Sequence, residues 1–121
     1  MEVTVYEGAV RRVAVVRSGA VLLETAQDAL DWMSTLRHEY GCEAAVIGME
    51  ALTPRFFDLS TRVAGEMLQK FTNYRFPVAI AGDFDAYPGK SLKAFIRESN
   101  KGRQVLFLPD AQEAARRLGE F

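Results

Sequence analysis

Apolar and polar residues alternate along Val3-Thr-Val-Tyr-Glu7, the period of a strand with one face buried. Gly8 interrupts the alternation and Val10–Val16 resumes it with β-branched residues, so Glu7-Gly8-Ala9 reads as a hairpin turn. Ser18-Gly19 marks a second turn and Val21-Leu22-Leu23 a short edge piece. The period then changes to that of a helix. Thr25 with Asp28 three residues on resembles a capping box, and Ala26, Ala29, Leu30, Met33, Leu36 and Tyr40 fall on one face before the Gly41 stop. Ala44–Met49 and Pro77–Gly82 are apolar throughout, as strands buried on both faces are.

Between them, Thr53-Pro54 is a helix start. Residues 54–74 fit one helix through Phe56, Leu59, Val63, Met67 and Phe71. They also fit a single turn at 54–57 followed by a second helix capped by Asp58 or Ser60, and Asp58-Leu-Ser-Thr61 favours the second version. Arg62, Glu66 and Lys70 would form an exposed ladder. Asp83–Gly89 is a polar loop, Ser91 opens a short helix that closes near Gly102, and Gln104–Leu108 is the last strand. Asp110 with Glu113 caps a final helix whose apolar side is Ala111, Ala114, Ala115 and Leu118. The order β-β-α-β-α-β-α-β-α predicts an α/β fold: a mixed, mostly parallel sheet of about five strands with an N-terminal hairpin and four helices.

Composition narrows the function. At 121 residues the chain is the size of one domain, 1–121, and its 49% apolar and 26% charged content is that of a globular protein. A net charge of −1 gives no global field for nucleic acid or an anionic membrane. No stretch is long and apolar enough to span a bilayer and no basic leader precedes an apolar run, so a reducing cytoplasmic setting is expected. A lone cysteine, Cys42, and a lone histidine, His38, leave no disulfide, zinc or two-thiol chemistry, and neither a metal nor a cofactor is expected. Phosphate-loop, dinucleotide and nucleophile-elbow motifs are absent, so no catalytic residue is assigned. His38 near a helix end reads as a surface residue and Cys42 as a packed one.

Two segments carry candidate chemistry. Asp83 and Asp85 follow a buried strand, where open α/β sheets gather ligands, although both residues also make turns. Beyond them, Lys90, Lys93, Arg97, Lys101 and Arg103 stand against one acid, Glu98. Lys93 and Arg97 share a helix face, so Asp83, Asp85, Ser91, Lys93 and Arg97 form a candidate ligand site for a small molecule or nucleotide. The second segment is Asp58-Leu-Ser-Thr-Arg62. Its hydroxyls are caps on one reading. On the other they are phosphoacceptors at the positive end of a helix dipole.

The stretch PRFFDLSTRVAGEMLQKFTNYRFPVAIAGDF with KSLKAFIRESNKGRQVLFLPD, together with DALDWM and GCEAAVIGME, resembles a bacterial family catalogued as domain of unknown function 4180. The element order is in turn similar to STAS domains, named for sulfate transporters and anti-sigma antagonists. That resemblance implies a serine or threonine at a helix start after a central strand, whose phosphorylation abolishes partner binding. Ser60 or Thr61 would correspond, with Asp58 as the preceding acid. Leu59 stands where a small polar residue is common, Arg62 replaces the usual glycine, and Pro54-Arg-Phe-Phe57 is extra. The expectation is a non-enzymatic, regulatory module with a protein partner, touched through Asp58, Ser60, Thr61 and Arg62. A homodimer through the edge of the first hairpin is a further expectation.

Overall fold

A computed structural model describes all 121 residues. The elements are β1 (Glu2–Glu7), β2 (Arg12–Arg17), α1 (Ala26–His38), β3 (Ala44–Gly48), α2 (Val63–Asn73), β4 (Val78–Ala81), α3 (Lys90–Ser99), β5 (Val105–Leu108) and α4 (Ala111–Glu120). Short 3-10 turns occupy 49–51, 54–57, 59–61 and 84–86. The strands lie in the order β1-β2-β3-β4-β5, with β1 antiparallel to β2 and the other neighbours parallel. The mixed, mostly parallel sheet with its N-terminal hairpin and four helices is the fold that the hydrophobic pattern predicts.

Alternation along the strands sorts the core into two layers. Ala14, Val16, Ala45, Ile47, Val78, Ile80 and Phe107 face α1, α2 and α3, with Met33, Leu36, Met67, Phe71 and Leu92 packed onto them. Val13, Val15, Val46, Ala79, Ala81 and Leu106 face the single helix α4, which contributes Ala114, Ala115 and Leu118. Such two-sided burial is why β3 and β4 read as unbroken apolar runs. No helix is long and apolar enough to cross a membrane.

Several local expectations change. The hairpin loop spans 8–11, and β2 starts at Arg12 because Val10 and Arg11 turn to the end of α4. Their N–H groups donate to the Gly119 carbonyl at 2.8 and 3.3 Å, and Arg11 Nη2 donates to the Phe121 carbonyl at 2.9 Å. Carbonyls that a helix end leaves without partners are thereby bonded. The approach requires glycine on both sides, since a Cβ on Gly8 would lie 2.4 Å from Gly119 Cα. Val21–Leu23 is not an edge piece. Leu23 is buried and makes an isolated parallel bridge to Leu52, inside the α1–α3 layer. The Thr25–Asp28 capping box forms in full, and Gly41 takes the left-handed φ of 65° that follows the helix. At α4, Asp110 caps through Gln112 N–H while Glu113 pairs with Arg116, so no reciprocal box forms there.

Candidate functional site

The Asp58–Arg62 segment differs from both of its predicted forms. Residues 54–57 make the expected turn, but a second 3-10 turn over 59–61 intervenes before α2. Asp58 caps that second turn by accepting from Ser60 N–H at 3.1 Å, and Arg62, at the start of α2, supplies no side-chain cap to it. Neither Asp58 nor Ser60 caps the long helix. The reason lies in Arg62, which takes a left-handed φ of 67° immediately before Val63 and breaks the two helical segments apart. The expected ladder also fails to pair, since neither Arg62 nor Lys70 lies within ion-pair distance of an acid.

The two hydroxyls have opposite roles. Thr61 Oγ1 reaches the carbonyls of Arg55 and Asp58, each at 2.7 Å, and accepts from Val63 N–H at 3.3 Å. It is a clamp holding the two turns together. Ser60 is exposed, and its Oγ donates only to Asp58 Oδ1 at 2.7 Å. That hydroxyl bond, with the Ser60 N–H, holds the Asp58 carboxyl below its ordinary range, because both bonds favour the ionised form.

The second segment sits beside the first. The chain leaves β4 for α3 on one face of the sheet and leaves β5 for α4 on the other. A crevice therefore opens between Gly82 and Pro109 at the carboxyl ends of the strands, where open α/β sheets bind ligands. On the α3 side a hollow of about 690 Å³ is lined by Asp83, Asp85, Tyr87, Lys93 and Arg97. A ligand cavity commonly has a volume on the order of 300–1,000 Å³. Asp83 Oδ1 is engaged by Asp85 N–H at 3.0 Å, so one of the two carboxylates is a turn former. Lys93 and Arg97 are exposed and make no ion pair, whereas Lys101 bonds Glu98 at 2.9 Å and Arg103 lies 5.9 Å from the Phe121 ring. The basic lip is thus reduced to Lys90, Lys93 and Arg97 as free cations. A larger hollow, about 890 Å³, lies on the α4 side around Glu2, Arg17, Glu50 and Asp110 and contains none of the predicted residues.

Ser91 separates from this group. The helix begins at Lys90 after Gly89, so Ser91 is its second residue and does not cap it. It lines a neighbouring hollow of about 580 Å³ with Pro54, Phe57, Asp58 and Ser60. Two aromatic residues absent from the expected site join the two hollows. Phe57 stacks on Tyr87 at 4.6 Å between centroids with 13° between the planes, and Phe84 lies 6.2 Å from Phe57. The available signal was Tyr87 in a polar loop and Phe57 before an acid, each an aromatic residue among turn formers.

His38 is exposed in the last turn of α1, and Cys42 is fully buried two residues before β3. Burial pushes the Cys42 thiol up, the condition of a packed rather than a reactive cysteine. No group of three or more histidine, cysteine or acidic side chains is arranged to hold a metal ion.

The fold defines an α/β protein with a mixed five-stranded sheet in sequential order and a crevice at the carboxyl ends of β4 and β5. Residues 9–118 match the family described as Domain of unknown function (DUF4180), and the chain belongs to it. No curated protein and no solved structure is detectably similar to it.

Proposed function

We propose that the chain is a non-enzymatic, regulatory binding module that engages a protein partner through the joined rim of residues 54–62 and 84–91. The observation that carries this reading is the Phe57–Tyr87 stack, which makes one surface of two segments that look separate in sequence. Ser60 stands exposed on that surface while Thr61 is engaged by backbone groups, so Ser60 is the residue open to modification. A phosphoryl group there removes the hydroxyl donor and sets about −1.5 to −2 charges beside the Asp58 carboxylate. The turn over 59–61 then loses the hydroxyl bond to Asp58, and repulsion between the two anions strains the N–H cap that remains, so the surface changes shape as well as charge. Arg62 supports the STAS-like comparison in one respect: its left-handed φ is the conformation glycine adopts freely at the position where that fold commonly has glycine.

The test is quantitative affinity capture from the source cell with wild type, Ser60→Ala and Ser60→Asp. One protein should be retained by wild type and Ser60→Ala and lost about tenfold or more with Ser60→Asp, equivalent to ~1.4 kcal/mol. Equal recovery by all three would remove Ser60 from the interface.

A second reading, a small-molecule or nucleotide site in the hollow at 83–97, is favoured by the unpaired Lys93 and Arg97. Thermal-shift screening separates the two, since a ligand at 100 times its dissociation constant adds ~2.7 kcal/mol. Lys93→Ala and Arg97→Ala should each abolish such a shift while altering stability alone by less than ~0.5 kcal/mol. Blanks across nucleotides, metals and phosphorylated metabolites leave the protein-partner reading standing.

A further inference from the structure

The two edges of the sheet are built differently. On β5, Val78 N–H bonds the Gln104 carbonyl and Gly82 N–H the Leu108 carbonyl, so Val105 and Phe107 turn their backbone groups outward. The Asn100 side chain closes that edge. Its Oδ1 accepts from Phe107 N–H at 2.7 Å and its Nδ2 donates to the Phe107 carbonyl at 3.0 Å. Pro109, next in the outward register, has no N–H to offer. Edge strands protected in this way do not recruit another strand.

On β1 no such protection exists. Glu43 N–H bonds the Arg12 carbonyl, so Arg12 faces β3, and its partner Glu7 must turn its backbone away from β2. By alternation, Val5 and Val3 do the same. The register over Glu2–Glu7 is unbroken, with no proline, lysine or bulge. The tip of the hairpin is fixed to α4, so this edge is held extended before any partner arrives.

From this asymmetry we infer that β1 is a self-association edge, at which a second copy of the chain adds its own β1 antiparallel across a two-fold axis at Val5. In that register Val5 faces Val5 of the second copy, and Val3 faces Glu7. Each of these outward pairs exchanges both backbone hydrogen bonds. Glu2 falls opposite Gly8, so no two carboxylates meet, and Glu7 is already neutralised by Arg12 at 2.7 Å. A parallel pairing would set glutamates side by side, which is destabilising. The two most exposed large apolar residues, Met1 at 69% and Val10 at 62%, flank the two ends of this strand. The antiparallel register brings Met1 of one copy against the Ala9–Val10 corner of the other. The result is a continuous ten-stranded sheet that leaves both rims at 54–62 free, so this inference does not rest on the partner reading above.

Light scattering and sedimentation of the full chain from low to high micromolar concentration supply the test, with amide hydrogen exchange at each end of the range. The expected mass at high concentration is twice 13.5 kDa. The amides of Val3, Val5 and Glu7, open in the single copy, should gain protection there. Val5→Pro removes one outward N–H. Thr4→Lys, at an exposed position, places two like charges in the interface. Each should weaken dimerisation about tenfold or more. Should Val5→Pro fail to fold, Thr4→Lys decides alone. A mass of 13.5 kDa throughout, or a dimer indifferent to Thr4→Lys, overturns the inference.

Discussion

The two faces of the sheet solve the same burial problem with opposite materials. The α1–α3 face is filled with large side chains, and Phe56, Phe57, Phe84, Phe95 and Phe107 form a connected aromatic group beneath the strand-end rim. The α4 face is thin. Ala114 and Ala115 lie against Val13, Val46, Ala79 and Leu106, and the helix ends with Gly119 against Gly8. A single helix about 10–12 Å across must serve five strands spaced about 4.8 Å apart, so it approaches closely and crosses from the end of β5 to the hairpin. Bulk sets the spacing on one face and its absence sets it on the other. The candidate binding rim belongs to the bulky face, where loops stand on aromatic rings.

The largest effect should come from Ile80→Asp, which places an unpaired carboxylate in the aromatic-side layer at a residue only 1% exposed. A loss of several kcal/mol, on the order of 3–5, is expected by denaturant titration. A melting temperature within a few degrees of wild type would mean that this face is not close-packed. Gly8→Ala tests the thin face in the opposite sense, by adding one methyl group. Its Cβ would meet Gly119 Cα at 2.4 Å and the Arg11 carbonyl at 2.5 Å, both backbone atoms that cannot rotate aside. The expected cost is about 1–3 kcal/mol. A neutral Gly8→Ala would show that α4 stands off further than the contact implies.

Strand content and sheet type were legible because period-two alternation and unbroken apolar runs are direct consequences of one-sided and two-sided burial. The paired glycines Gly8 and Gly119 were not, because their meaning is a close approach between residues over a hundred positions apart. The 54–74 region was legible only in part. Hydroxyl and acidic residues announce a helix start there, but whether the start is the long helix or a single turn depends on the left-handed backbone of Arg62. Nothing in an arginine announces that conformation. The candidate site was half legible for a related reason. Asp83, Asp85, Lys93 and Arg97 do meet in one hollow, while Ser91 joins Ser60 through a Phe57–Tyr87 stack that only tertiary packing creates.

The smallest effect belongs to the outer fringe of the bulky face, where Ser60 and Asp58 are fully in solvent contact and the rings beneath are not disturbed. Ser60 donates both its hydroxyl and its N–H to Asp58, and these bonds hold the folded-state pKa of that carboxyl below 3.8. A depressed folded pKa contributes stability that is present above the unfolded value and lost as pH falls through the folded one. Ser60→Ala removes the hydroxyl bond and keeps the N–H bond, so the Asp58 titration should move part of the way up toward 3.8. Ser60→Asp should move it further, because a second carboxylate beside Asp58 disfavours ionising both. The charge at position 60 also lies in the separate 59–61 turn, set off from α2 by the left-handed Arg62, and so outside the first turn of that helix, where its dipole acts. Carboxyl carbon shifts followed by NMR through the acid range, in wild type and both variants, give the order directly. If Asp58 titrates identically in all three, the Ser60 hydroxyl does not engage it in solution, and a phosphoryl group at Ser60 would have no turn to release.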